Sequence, residues 1–273
     1  MKHQEVVLIT GASSGIGRST AIYLASKGLK VYAAARRMDK LNELKPYGII
    51  PVQLDVTIHE SCQACVDYVF KQEGRIDVLF NNAGYGLYGA IEDITLEDAR
   101  HQYDVNVFGL ADMTKCVLPI MRAQKSGRII NTSSIGGKVH SLLGGWYHST
   151  KFAVEGLTDC LRIEVKQFGI KVVLIEPGLI STEFPQITYD KAMEIPESSP
   201  YHNLMVQVQT MVEKDMKKSS FGSDPIVVAK KVYKAIISKH PKTRYSMGKL
   251  SKVALWGRKI LPDKVLDYIL LHR

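Results

Sequence analysis

"VVLITGASSGIG", residues 6 to 17, decides how the rest of the chain is read. An apolar, β-branched run passes straight into a loop carrying Gly11, Gly15 and Gly17, and a helical pattern follows at once. A run that is apolar without alternation suits a strand buried on both faces of a parallel sheet. Glycines at the turn let the backbone bend tightly and let a pyrophosphate approach the N-terminus of the next helix, whose free N–H groups and dipole favour anions. A glycine-rich loop alone says little; between a strand and a helix it predicts a dinucleotide cradle.

The same rhythm continues outward through "KVYAAAR" (30–36), "IIPVQLD" (49–55), "DVLFNNA" (77–83), "RIINTSS" (128–134) and "IKVVLIE" (170–176), with stretches of helical length between them. Six such repeats predict an α/β fold with a doubly wound parallel sheet, read as a single domain over residues 1–273. Residues 1–182 form the expected cofactor-binding and catalytic core. Residues 183–222 interrupt the rhythm with "FPQITYDKAMEIPESSPYHN" and a Met-rich helical stretch, and are expected to hang over the strands' carboxyl ends as a substrate lid. Residues 223–273 hold a last strand and C-terminal helices. One helix is opened by Ser223 or Asp224 with Pro225 at the first helical position, and Pro262 splits the final amphipathic stretch in two.

Composition narrows the class. The chain has 273 residues, 45% hydrophobic and 23% charged, which excludes disordered and fibrous proteins. The N-terminal apolar run is too short for a signal-peptide core and no run approaches a membrane span, so a cytoplasmic protein is expected. Cys62 and Cys65 form C-x-x-C with His59 three residues earlier, but no second ligand pair follows at metal spacing; the expectation is a helix with small apolar thiols and no metal. The net charge of +9 is uneven: residues 214–273 hold 15 Lys/Arg against 4 Asp/Glu. A solvated basic face, an anionic cofactor, an acidic partner and a membrane surface all fit that excess. For the C-terminal helices the preferred reading packs their Leu/Ile/Trp faces on the rest of the fold, with a membrane-surface or channel element as the alternative. Nothing points to nucleic acid.

Tyr147 and Lys151 in "GGWYHSTKFAVEGL" (144–157) stand four apart, but so do Tyr23/Lys27 and Tyr245/Lys249. Context separates them. "TGASSGIG" (10–17), "NNAG" (81–84), Asn106 in "YDVNVFG", "INTSS" (130–134), "YHSTK" and "IEPGLIST" (175–182) follow in the order of the short-chain dehydrogenase/reductase family, which the chain resembles over residues 5 to 184. The resemblance implies a Rossmann fold and hydride transfer between a nicotinamide cofactor and an alcohol or carbonyl. Ser134, Tyr147, Lys151 and Asn106 would be catalytic: Ser134 on the substrate oxygen, Lys151 on the nicotinamide ribose, Asn106 holding a relay water. Gly11, Ser13, Ser14, Gly15, Ile16 and Gly17 would cradle the pyrophosphate, with Asp55 and Val56 at the adenine. Asn82, Ala83 and Gly84, and Pro177, Gly178, Ile180 and Thr182, would border the nicotinamide half.

Chemistry explains the pair. Making or consuming an alcohol needs a proton donor or acceptor working near neutral pH, which a free phenol with pKa about 10 is not. Lys151 lies one helical turn from Tyr147. At about 4 Å and an effective dielectric of about 20 its charge offers up to ~4 kcal/mol, enough to draw the phenol towards neutral pH. Cofactor choice is read at the end of the second strand, where the family's NAD-type members carry an acid; Ala35 stands here, followed by Arg36 and Arg37, which suits the 2′-phosphate of NADP(H). The expected activity is an NADP(H)-dependent oxidoreductase on a lipophilic secondary alcohol or ketone, in the manner of hydroxysteroid or retinol dehydrogenases. The alternatives are a 3-oxoacyl carrier-protein reductase and a non-catalytic NADP-sensing or scaffold protein. A homodimer or homotetramer through the helices near Ala111 and Tyr147 is implied by the resemblance.

Overall fold

Val6–Thr10 (β1) is buried along its whole length, with Val7 and Ile9 packed into one core and Val6 and Leu8 into another. That two-sided burial is why the strand is apolar continuously from Val6 to Ile9 rather than at alternate positions. The computed structural model describes residues 4–185, 188, 197–216 and 222–271. Chain order continues with α1 (Gly15–Ser26), β2 (Lys30–Ala35), α2 (Met38–Asn42), β3 (Ile50–Gln53), α3 (His59–Glu73) and β4 (Val78–Asn81). The second half adds α4 (Leu96–Tyr103), α5 (Gly109–Ala123), β5 (Gly127–Thr132), α6 (Gly145–Glu164) and β6 (Ile170–Pro177). Last come α7 (His202–Met216), α8 (Ile226–Ile237), β7 (Arg244–Met247), α9 (Ser251–Ile260) and α10 (Asp263–Leu271).

The seven strands of the described residues run parallel in one sheet of order β3-β2-β1-β4-β5-β6-β7. On one face, Ala21 and Leu24 of α1 and Val228, Val232 and Ala235 of α8 cover Ile9, Val31 and Phe80. On the other, Val66 and Val69 of α3 and Met113 and Val117 of α5 cover Leu8, Leu79 and Ile129. The order reverses between β1 and β4, so their exits diverge and open a crevice at the carboxyl edge, where ligands bind in such sheets.

Helix ends follow local chemistry. Thr95 Oγ1 accepts from Asp98 N at 3.1 Å to start α4, and Asp224 Oδ1 accepts from Ile226 N at 2.7 Å to start α8. Pro262 separates α9 from α10, as its missing N–H and fixed φ require. Between α4 and α5 the helix widens into a π turn over Asp104–Phe108 that contains Asn106. β4 stops before the end of its quoted run. Asn82 N and Ala83 N leave the ladder after Asn81 to donate to Thr10 Oγ1, both at 3.0 Å. Of the expected lid, residues 186, 187, 189–196 and 217–221 lie outside the described residues; Ser199 Oγ ties its later part to Asp93 Oδ2 at 2.8 Å. No helix among the described residues is long and apolar enough to cross a membrane.

Candidate active site

The glycine loop closes because two positions tolerate no side chain. At Gly11, with φ +65°, a Cβ would lie 2.7 Å from Ala83 Cα, and at Gly17 it would lie 2.3 Å from the carbonyl oxygen of Gly11. Asn82 completes the clasp, its Nδ2 donating to the carbonyls of Thr10 and Gly11 at 3.2 Å each. Asn82 therefore fixes the cradle's shape as well as bordering it. The side chain of Ser14, at the start of α1, makes no capping bond, which leaves the first amides of that helix facing the crevice.

The crevice is a cleft of about 1140 Å³. Of the site residues expected from the sequence, all but Gly17 and Asn106 border it: Gly11, Ser13, Ser14, Gly15 and Ile16, Arg36 and Arg37, Asp55 and Val56, Asn82 to Gly84, Ser134, Tyr147 and Lys151, and Pro177, Gly178, Ile180 and Thr182. Tyr23 and Tyr245 do not border it. Tyr23 sits on α1 against Tyr233, and the Tyr245 hydroxyl accepts from Lys242 N at 3.2 Å.

Ser134 stands in extended backbone just past β5, and its Oγ accepts from Gly136 N at 3.0 Å. Ser133, one residue earlier, borders the cleft as well, because the strand has already ended at Thr132 and side chains no longer alternate strictly. Tyr147 lies in the first turn of α6, its ring 5.7 Å from those of Tyr88 and Phe184. Burial drives its hydroxyl well above the ordinary tyrosine value, the neighbouring Tyr88 adds to this, and the hydrogen bond with Ser134 opposes it. The expected lowering by Lys151 is therefore overturned. Lys151 Nζ donates to the Thr132 carbonyl at 3.1 Å and lies 5.8 Å from the Tyr147 ring centre, too far to outweigh the lost hydration of a buried phenolate. Burial pulls Lys151 itself down to about 8.

Asn106, 1% exposed, donates through Nδ2 to the Tyr85 carbonyl at 2.9 Å and Thr150 Oγ1 at 3.1 Å, and accepts from Tyr85 N at 3.0 Å. It fastens the β4 exit loop to α6 from beneath the cleft. At the adenine end, burial raises the Asp55 carboxyl, but two hydrogen bonds from Thr57 and the charge of Arg36 leave it below its usual range. The Arg37 guanidinium crosses to the glycine loop, donating to Ser13 Oγ at 3.1 Å and Ser14 Oγ at 3.0 Å.

A model for the short chain dehydrogenase family matches residues 5–192. The chain belongs to the short-chain dehydrogenase/reductase family. Among curated family members, a 3-ketodihydrosphingosine reductase of Bacteroides thetaiotaomicron is 35% identical over 97% of this chain and 96% of its own. The uncharacterized oxidoreductase YbbO of Escherichia coli is 34% identical over 98% of this chain and 94% of its own. A crystal structure of a short-chain dehydrogenase from Streptomyces avermitilis is 30% identical, with a TM-score of 0.81 over 98% of this chain and 96% of its own. The closed form of a serine dehydrogenase complexed with NADP+ is 27% identical, with a TM-score of 0.76 over 90% and 95%. A dehydrogenase/reductase from Burkholderia phymatum in complex with NAD, 24% identical with a TM-score of 0.81 over 99% and 96%, shares the fold. The protein is accordingly an oxidoreductase of the short-chain dehydrogenase/reductase family.

Sequence reasoning passed over several polar groups of this short-chain dehydrogenase/reductase. Buried His148, beside Tyr147, shares a hydrogen bond through Nδ1 with the Gly136 carbonyl and through Nε2 with Ser141 Oγ, each at 2.9 Å, and so braces the Ser134 loop. Asn81 Nδ2 donates to Asn131 Oδ1, and Asn131 Nδ2 to Thr158 Oγ1, both at 3.0 Å, tying β4, β5 and α6 behind the site. Arg244, counted in the basic C-terminal segment, pairs internally with Glu155 at 3.1 Å, Asp159 at 2.6 Å and Glu176 at 3.4 Å. Asn81, Asn131 and Glu176 left a trace in the sequence, each being a polar residue near the end of an apolar run. Cys62 and Cys65 are buried in the seam of α3 and α5, both thiols pushed up to about 12 by burial. His59, Asp112 and Cys116 gather at the edge of that seam with their ligand atoms within 4.8 Å of one another, a grouping the spacing of Cys62 and Cys65 did not reveal.

Proposed function

We propose that this oxidoreductase interconverts a ketone and a secondary alcohol on a lipophilic substrate, with NADP(H) as hydride carrier and Tyr147 as the acid/base group. One observation carries the reading. Ser134, Tyr147 and Lys151 meet at a cleft whose other wall is apolar, supplied by Tyr88, Leu179, Phe184, Val212, Leu261 and Leu266. When bound, the cofactor supplies or accepts the hydride. The residues present fit it: the Lys151 ammonium has three donors and, among the described residues, one acceptor in Thr132, the uncapped amides of α1 suit a pyrophosphate, and the glycine cradle admits a close backbone approach.

In reduction, the carbonyl carbon gains the hydride while its oxygen takes the proton from the Tyr147 hydroxyl. A phenol raised by burial is held protonated at neutral pH, ready for that transfer. Ser134 Oγ donates to the developing alkoxide, and the buried ammonium of Lys151 favours negative charge across the cleft. Arg36 and Arg37 at the adenosine end support NADP(H), since guanidinium groups bind a 2′-phosphate and the position of an NAD-selecting acid is Ala35. The similarity to a 3-ketodihydrosphingosine reductase along nearly the whole chain supports a ketone on a long aliphatic body. The exposed Phe152, Leu157 and Ile163 of α6 support assembly of identical copies through that helix, to be read by light scattering.

Spectrophotometric assay of long-chain ketones, cyclic ketones and acetoacetyl thioesters with both nicotinamide cofactors tests the reading. Preferential turnover of thioesters would move the protein to carrier-protein reductase chemistry. No turnover of any carbonyl or alcohol would leave a binding role.

A further inference from the structure

The helices α9 and α10 carry apolar residues on two stripes, and the fold uses only one. Val253, Ala254, Gly257 and Leu261 recur at helical spacing and border the cleft, joined by Leu266 and Leu270 of α10. On the other side, Trp256 is 66% exposed, Ile260 54% and Tyr268 64%, with Val265 and Leu271 exposed beside them. Between residues 251 and 271 only Ser251 is buried. The preferred sequence reading, in which these faces pack on the rest of the fold, thus holds for half of each helix. Lys252, Lys259 and Lys264 are interleaved with the outer stripe and pair with no carboxylate among the described residues, whereas Arg258 is held by Asp263.

We infer that α9 and α10 form a docking element for an anionic lipid surface, placed so that the mouth of the cleft faces the bilayer. Trp and aliphatic residues alternating with lysines are the pattern of a helix pair lying in a membrane interface, the rings at headgroup depth and the ammonium groups on lipid phosphates. A second copy of the chain fits less well. An isologous contact through this face would set Lys252, Lys259 and Lys264 against one another, while the two acids of the helix pair, Asp263 and Asp267, are already engaged by Arg258 and His140. Val253, 70% exposed and also on the cleft border, marks where the two stripes meet. Val253 and Tyr147 border the same cleft, so this end of it offers an apolar substrate from the bilayer an entry towards Tyr147. The inference goes beyond the catalytic reading and is tested apart from it.

The experiment sediments the full-length protein with phosphatidylcholine vesicles and with vesicles containing phosphatidylglycerol, at low and high salt. Binding to the anionic vesicles at low salt, released as screening increases, is expected. Vesicles should shift the tryptophan emission of the wild type to the blue, and Trp256→Phe should abolish that shift. Lys252→Gln with Lys259→Gln should weaken binding about 25-fold, at about fivefold for each cation. Neither lysine borders the cleft, so turnover of a water-soluble ketone should be unchanged in that variant. Failure to bind anionic vesicles at low salt, or undiminished binding by the double variant, overturns the inference. So does a dimer that dissociates on Trp256→Lys, which would assign the face to a second copy. Vesicle binding without turnover of any ketone would sink the catalytic reading and leave the docking one standing.

Discussion

Lys151 Nζ lies 5.8 Å from the ring centre of Tyr147 and donates to the Thr132 carbonyl at 3.1 Å. The two residues share a helix face, yet the lysine reaches past the ring to the end of β5. Its charge is placed to hold a polar group beside the phenol, and the phenol's protonation is governed by burial.

Tyr147→Phe should reduce turnover by at least a hundredfold, within the usual acid/base contribution of about 10²–10⁴, and leave cofactor affinity within a factor of about three. Steady-state kinetics with cofactor titration by fluorescence checks both. Tyr23→Phe, on α1 and off the cleft, should behave as wild type; a Tyr147 variant that is merely slow by a few-fold would remove the acid/base assignment.

Lys151→Met should yield a more stable and inactive protein. With its pKa lowered from 10.5 to about 8 by burial, the folded chain gives up this proton before the unfolded chain does. Between pH 8 and 10.5 the unfolded state holds more protons, so this site adds stability as pH rises, and at neutral pH the buried charge costs about 3 kcal/mol. Methionine removes most of that cost, and a gain of about 1–3 kcal/mol, or several degrees in Tm, is expected by calorimetry. The same titration predicts a limb in wild-type kcat/KM falling above about pH 8, as the ammonium is lost.

Arg37→Ala should lower kcat/KM for NADPH about 10- to 100-fold, corresponding to one charge-assisted hydrogen bond of about 1.5–3 kcal/mol, while that for NADH changes little. Because Arg37 is exposed, the difference between the cofactors should narrow with added salt. A wild type that prefers NADH would end the NADP(H) assignment and leave Tyr147 untouched.

Arg244→Met should destabilise the fold by about 3–5 kcal/mol in urea unfolding, because it strands Glu155 and Glu176, which are 4% and 2% exposed, without their guanidinium. Lys138, 2.8 Å from Glu155, softens the loss. Replacing Lys230, an exposed basic residue of the same C-terminal third, should change stability by less than about 0.5 kcal/mol.

Local chemistry was legible and long-range chemistry was not. β1 ends where its run ends, Gly11 and Gly17 sit where backbone meets backbone, and Pro262 divides two helices, because each is settled within a few residues. The loop residues from Ser13 to Ile16 and the set Ser134, Tyr147 and Lys151 were legible through order along the chain, and they share one cleft. The bracing of that cleft was hidden. Arg244 meets Glu155 across 89 positions and Asn106 meets Thr150 across 44, and neither spacing leaves a pattern in a linear sequence. The protonation of Tyr147 is hidden for a related reason: neighbours one turn away are visible in sequence, whereas the rings of Tyr88 and Phe184 that dry the phenol arrive from distant segments.

The clasp between Thr10 and Asn82 has a consequence for the nascent chain. Of the two partners of β1, β2 follows it closely in the chain, but β4 follows only about 70 residues later, and the loop acquires its second wall only when Asn82 and Ala83 reach Thr10. Joining of the two half-sheets is therefore a non-local event, slow by contact order, and until it happens β1 presents an open edge. A polypeptide stalled before Val78 would hold the glycine loop without a shape for it.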